Sequence, residues 1–227
     1  MKLMQLLSLR NGFLALSFVT IASGGGLLTG CSNAASQNPT QTPNATATNA
    51  SDRHMNHSMG MDLGPADADF DLRFIDAMIP HHQGALEMAN VAQQKSKRPE
   101  IKKLADNIIK SQNQEITQMK QWRQAWYPSA GNKPMAYNSQ MGHMMEMSSD
   151  QMQGMMMSQD LGAADDKFDL RFINAMIPHH EGAVKMAQDA LNKSKRPEIK
   201  QLAQEIIKAQ DTEIKQMQQW RKTWYNQ

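Results

Sequence analysis

The sequence predicts an all-α protein: an up-down-up-down four-helix bundle made of two repeated helical hairpins, with a disordered Met-rich N-terminal segment and linker. Three observations predict it. Residues 62–127 align without a gap on residues 160–225, and about two-thirds of the positions are identical. Within each copy apolar residues step by three and four, the period of a helix with one buried face. Between the two periodic runs of each copy stands Ser-Lys-Arg-Pro-Glu, at residues 96–100 and 194–198, where proline followed by an acid opens a helix. A short turn between two long helices makes an antiparallel hairpin. One hairpin leaves its apolar stripe exposed, so two copies are expected to pair.

The first helix of the first copy is expected from about Pro65 to Lys95. Phe70, Phe74, Met78, His81, Ala85, Met88 and Ala92 share its apolar face. Pro80 interrupts the run, and a kink or short break is expected there. If the helix restarts after it, His81 and His82 lie in a first turn, whose dipole keeps the rings neutral. The second helix puts Ile101, Leu104, Ile108, Glu115, Met119, Trp122 and Trp126 on one face and ends before Pro128. Each helix spans roughly 40 Å. Counting outward from the turn sets His81 level with Gln112 and Glu115, and His179 level with Gln210 and Glu213. Two readings stand here. One is a di-metal centre of two His and two Glu; the other is a buried His–Glu hydrogen bond in each half.

In that bundle the second helix ends where the third begins, and a handful of residues would join them. Residues 128–163 intervene instead, more than compact domains carry without a reason. They contain Met135, Met141, His143, Met144, Met145, Met147, Met152, Met155, Met156 and Met157. The stretch before the first helix is similar: His54, Met55, His57, Met59 and Met61. Both stretches are expected at one end of the bundle, with Trp122, Trp126, Trp220 and Trp224. Thioethers select monovalent copper or silver, and imidazole also accepts divalent copper. Met-rich segments also make adaptable partner surfaces. These contain almost no Leu, Ile, Val or Phe and interleave His, which favours metal. For Met78, Met88 and Met119 on the helices, core packing and ligation both stand.

Methionine is the anomaly of composition, with 20 residues against 13 Gly and 9 Pro. The single cysteine excludes an intramolecular disulfide framework and a thiolate cluster. Lys2 and Arg10 are the only charges in residues 1–30, so the remaining 22 basic residues balance 22 acidic ones. A neutral chain of this kind is a poor candidate for nucleic acid, which asks for a basic face.

The start reads as an export signal: a basic n-region, an apolar core from Phe13 to Ala22, then small residues. Leu28-Thr29-Gly30-Cys31 matches a bacterial lipobox, which expects lipidation of Cys31 and a location in the periplasm or cell envelope. The expected organisation is a signal peptide at residues 1–30, a tether with the Met/His segment at 31–61, and a first hairpin at 62–127. A Met-rich linker follows at 128–159, and a second hairpin at 160–227.

Phe-Asp-x-x-Phe-Ile-x-x-Met-Ile-Pro-His-His-x-x-Ala, then the Pro-Glu-Ile helix and Met-x-x-Trp, resembles a bacterial exported family catalogued as a domain of unknown function. The tandem arrangement with Met/His-rich flanks is similar to its copper-binding cyanobacterial representatives. That resemblance implies a helical bundle, an envelope location, binding of copper as Cu(I) and possibly Cu(II), silver as its mimic, and a part in copper resistance. Carried over by position, the metal groups are Met78, His81, His82 and Met176, His179, His180. Met88 and Met186 follow on the next turns, and Met119 and Met217 on the second helices. Gln83 and Glu87 in one copy are Glu181 and Lys185 in the other, so the two sites are expected to differ.

The function expected is binding of metal ions for sequestration, resistance or delivery, with another envelope copper protein or sensor as a partner. The Met/His flanks at His54, Met55, His57, Met59, Met61, Met141, His143, Met144 and Met145 would add further sites. No nucleophile with its base and no phosphate loop is visible, so the chain is not expected to be an enzyme. A ferritin-like metal oxidase using the His/Glu centre and a Met-rich interaction module are the competing readings.

Overall fold

A computed structural model describes residues 62–227. The expectations for residues 1–61, including the signal, Cys31 and the first Met/His segment, lie outside the described residues. The elements are α1 (Phe70–Lys95), α2 (Pro99–Trp126), β1 (Met135–Asn138), β2 (His143–Glu146), α3 (Ser149–Met156), α4 (Phe168–Lys193) and α5 (Pro197–Tyr225). The all-α class and the two helical hairpins stand. No helix among the described residues is long and apolar enough to cross a membrane.

The helix α1 starts at Phe70, later than Pro65, because the preceding residues fold as a clamped loop. Asp62 accepts the Gly64 N–H at 2.9 Å, and Gly64 takes φ 76°, a conformation open to glycine. Arg73, 1% exposed, donates to the carbonyls of Leu63 and Pro65 at 2.6 and 2.7 Å and pairs with Asp67. Arg171 repeats this with Leu161, Ala163 and Asp165. Each loop is also held by the other hairpin: Lys193 donates to the Gly64 carbonyl and Lys95 to that of Gly162.

The expected break at Pro80 does not occur. Both α1 and α4 run unbroken through Pro80 and Pro178. An interior proline costs a helix about 3 kcal/mol. Burial on either side outweighs it, since Phe74, Ile75, Met78, His81, His82 and Ala85 are all removed from solvent. The histidines therefore sit in mid-helix, not in a first turn.

The direction of the second hairpin is also corrected. Met88 and Ala92, late in α1, share a core with Phe168 and Phe172, early in α4. Phe70 and Phe74 share the other core with Ala187 and Ala190. Thus α1 and α4 run antiparallel, and the tip of each hairpin meets the open end of the other. Arg98 at the first tip lies 4.1 Å over the Trp224 ring, and Arg196 at the second lies 4.2 Å over Trp126. Trp122–Trp126 and Trp220–Trp224, stacked at 5.1 and 5.0 Å, consequently occupy opposite ends, not one. The connection is one long crossover, as in ferritin-like bundles. That explains its length, because it must travel from one end of the bundle to the other.

The crossover is folded, contrary to the disorder expected of it. Its strands β1 and β2 pair antiparallel with Met135 opposite Glu146. The Asn138 side chain accepts from the Gln140 and Met141 N–H groups, and Gly142 takes φ 70° to close the turn. Asp76 on α1 anchors the strap by accepting the Met135 N–H at 2.8 Å while paired with Arg123. Next, α3 opens with a Ser148/Gln151 capping box and buries Met155. Local polarity and short runs hid these contacts, which only α1 completes.

The strap crosses α1 at Gly84, where an added Cβ would overlap the Met156 carbonyl oxygen. In an open helix Gly84→Ala would gain about 1 kcal/mol from propensity. Here the backbone clash decides the sign, and a net loss of about 1–3 kcal/mol is expected. Urea denaturation checks it, and faster proteolysis near Met156 should accompany the loss.

Candidate metal centre

The helices α1 and α4 meet at His81 and His179, whose ring centroids lie 3.9 Å apart at 54°. Both are buried, and so are their neighbours His82 and His180. The His82 Nε2 lies 2.6 Å from the Glu115 Oε2, and the His180 Nε2 lies 2.7 Å from the Glu213 Oε2. A carboxylate can only accept, so Nε2 carries the proton in each pair. The His179 Nε2 stands 3.0 Å from the Met156 carbonyl oxygen and donates to it for the same reason. Neither ring nitrogen of His81 has a partner among the described residues.

One feature is common to all four rings: Nδ1 is buried without a partner among the described residues. An imidazole whose Nε2–H is held by an acceptor presents Nδ1 as a lone pair, the form in which histidine ligates metal. Glu115, Glu213 and the Met156 carbonyl thus fix the tautomers. Burial, then the neighbouring imidazoles, hold His81 well below the ordinary histidine range and His179 down to about 3. Those two rings are neutral because they are buried, not because a helix starts there.

The partner assignment changes accordingly. Glu115 and Glu213 bind His82 and His180 rather than His81 and His179. The centre between the repeats holds an imidazole pair, and the carboxylates stand outside it. Among the described residues no three His, Cys, Asp or Glu side chains form a ready cage for an ion. A centre here draws on imidazole and thioether, donors suited to a soft cation.

The thioethers are sorted across the repeats. Met78, Met119 and Met186 share one core with Met155 of the strap. Met88, Met176 and Met217 share the other. Each set takes one methionine from each of three helices, and Met88 belongs with the second hairpin's Met176. All six are at most 1% exposed. Met78 precedes His81 and His82 by three and four residues, which stacks them on one helix face; Met176 does the same for His179 and His180. The other expected donors are on the strap. Met141 is 63% exposed at the β-turn, and Met145 is 37% exposed on β2. His143 is exposed and lies 3.2 Å from the Met141 carbonyl oxygen, and Met144 is half-buried opposite Tyr137. These four are not brought to the buried centre. His54, Met55, His57, Met59 and Met61 lie outside the described residues.

Spacing along the chain could not reveal the Met156 carbonyl or the loop-clamping role of Arg73. The mid-helix glycine after each His pair was the one available signal of a close backbone approach.

A family model described as a domain of unknown function, DUF305, matches residues 71–221. The chain belongs to the DUF305 family. Solved structures similar to this DUF305 chain include CopM in the Cu(II)-bound form, 43% identical with a TM-score of 0.55. The match covers 68% of this chain and 97% of that one. CopM in the Cu(I)-bound form is 42% identical over the same shares, with a TM-score of 0.53. CopM with silver bound by soaking is 40% identical over 68% of this chain and 97% of that one, with a TM-score of 0.54. Among curated proteins, the uncharacterized protein L153 of Acanthamoeba polyphaga mimivirus is 47% identical over 53 residues. That stretch covers 23% of this DUF305 chain and a third of the viral protein (33%).

Proposed function

We propose that this DUF305 chain binds copper, with silver as its mimic, and serves copper sequestration, resistance or delivery in the cell envelope. The observation that carries this reading is the group of four buried imidazoles whose Nδ1 atoms have no partner among the described residues, in a bundle whose two cores hold six buried thioethers from the four long helices. At His81 and His179 copper, as cargo, would meet neutral rings that need no proton removed. Monovalent copper suits the thioethers with His81 and His179; divalent copper suits the imidazoles of His82 and His180. Met141, His143, Met144 and Met145 on the exposed β-hairpin offer an outer set of donors. The copper- and silver-bound CopM structures support this choice of metal. The basic start, the apolar run and Leu28-Thr29-Gly30-Cys31 support export and a lipid anchor. The partner for delivery would be another envelope copper protein or a copper sensor.

The test is a titration of the chain from Cys31 onward with cuprous ion against a competing chelator. Wild type is expected to withhold copper, and His81→Leu/His179→Leu to hold fewer equivalents. Glu115→Ala and Glu213→Ala should each weaken binding about 10- to 100-fold, because each frees the Nε2 of a ligating ring. Wild type that withholds neither copper nor silver would sink the reading.

A further inference from the structure

The strap lines a surface cavity that the buried centre does not use. It encloses about 570 Å³ between α1 and the crossover, and Met147, Met152 and Met156 line it, with Glu87 from α1. Its lining contains no Leu, Ile, Val or Phe; the remaining residues are Lys133, Gln153 and three serines. All the apolar side chains of the cavity are therefore thioethers. Ordinary packing explains Met155, which points into the core at 6% exposure. It does not by itself explain the two partly exposed methionines on the same helix. Met152 and Met156, four residues apart, share a face of α3 and are half-exposed. Met147, buried at 7% exposure, completes the set immediately before the Ser148 cap.

The lining carries one carboxylate, Glu87, and one ammonium, Lys133. Lys133 is engaged by Glu146 at 2.7 Å, which leaves the Glu87 carboxylate to face the cavity. The equivalent position in the second repeat is Lys185, of opposite charge. Met156 belongs to both places. Its side chain lines the cavity, and its carbonyl accepts the His179 Nε2–H.

We propose that Met147, Met152 and Met156 form a separate three-thioether site for a soft monovalent cation, distinct from the His81–His179 centre and adjacent to it. It deepens the copper-binding reading and rests on it. Three neutral sulfurs bind Cu(I) or Ag(I) and discriminate against divalent copper, which prefers nitrogen and oxygen. Glu87 compensates the charge without serving as the main donor. The carbonyl contact makes this site the outer neighbour of the buried imidazoles.

Silver nitrate titration of the chain from Cys31 onward, labelled with 13C at the methionine methyls, tests this. Early silver additions should shift the Met147, Met152 and Met156 methyl signals while that of Met155 moves least. The triple variant Met147→Leu/Met152→Leu/Met156→Leu, which conserves volume, should bind one equivalent fewer. Glu87→Lys, which copies the second repeat, should weaken this site several-fold and leave the remaining equivalents unchanged. Unmoved methyl signals, or a triple variant that binds as many equivalents as wild type, would overturn the site while copper binding elsewhere stands. A wild type that binds no silver at all would overturn both readings.

Discussion

Metal-free protein is expected to lose about 4 kcal/mol of stability between about pH 7.5 and pH 5 from two buried rings. The cause is the His81–His179 pair. Burial, then neighbouring imidazoles, depress both rings below the ordinary 6.5, His179 to about 3. In the unfolded chain both rings take a proton as pH falls through 6.5, whereas the folded protein keeps them neutral. The unfolded state then binds more protons, so stability rises with pH. The contribution is intact above the unfolded value and is lost as pH falls from there toward the folded one. At pH 5 each ring accounts for roughly 2 kcal/mol. Asp67 and Asp165, lowered by their arginine partners, act only below their ordinary 3.8. Urea midpoints across this range should slope steeply in wild type and flatten in His81→Leu/His179→Leu. An equal slope in both proteins would show that these rings are not held neutral.

The same pair shows how far the sequence could be read. The heptad-like steps from Phe70 to Ala92 placed His81 on the buried face correctly, and the Pro99 and Pro197 starts fell where the helices begin. Helix period and start chemistry are local, so they survive in the sequence alone. Relative direction is not local. Two hairpins with the same stripe can pair tip to tip or tip to tail, and the stripe is satisfied either way. What decides is at the ends: Arg98 over Trp224 and Arg196 over Trp126 require tip to tail. Those residues recur in both copies of the repeat, yet their pairing across copies is invisible to spacing.

The site followed the same division. That imidazoles and thioethers would gather was legible from Met-x-x-His-His. Which ring meets Glu115 was not, because a residue's error in register along a hairpin exchanges His81 for His82. The continuous helix through Pro80 had a similar origin. Proline's local preference was outweighed by burial on both sides of it, a tertiary effect. The strap was misjudged because its apolar anchors, Met147 and Met155, and its polar anchor, Met135 N–H, are buried or partnered only in the folded chain. One sequence difference did carry information: the first copy has Asp76 where the second has Asn174, and the strap docks on the first.

Asp76→Ala is therefore expected to cost about 3–5 kcal/mol, while Asn174→Ala costs less than about 0.5 kcal/mol. Asp76 is 2% exposed, and its oxygens accept from the Arg123 Nε at 2.5 Å, the Arg123 Nη2 at 3.1 Å and the Met135 N–H at 2.8 Å. Burial pushes its carboxyl up, and Arg123 and the Met135 N–H pull against that. An ionised carboxylate is tolerated there only while both partners hold it. Removal leaves Arg123, 16% exposed, without its anion, and the Met135 N–H without an acceptor. Arg123 also donates to the Gly131 and Lys133 carbonyls, so its loss of position loosens the strap's first turn. Asn174 makes only an exposed 3.3 Å contact with Arg221, and no strap depends on it. Asp76→Asn should fall between the two, since an amide keeps one acceptor and loses the charge. Urea denaturation gives the energies, and limited proteolysis between Gly131 and Met147 reports the strap. Equal losses for the Asp76 and Asn174 alanine variants would mean that the strap is not anchored at Asp76.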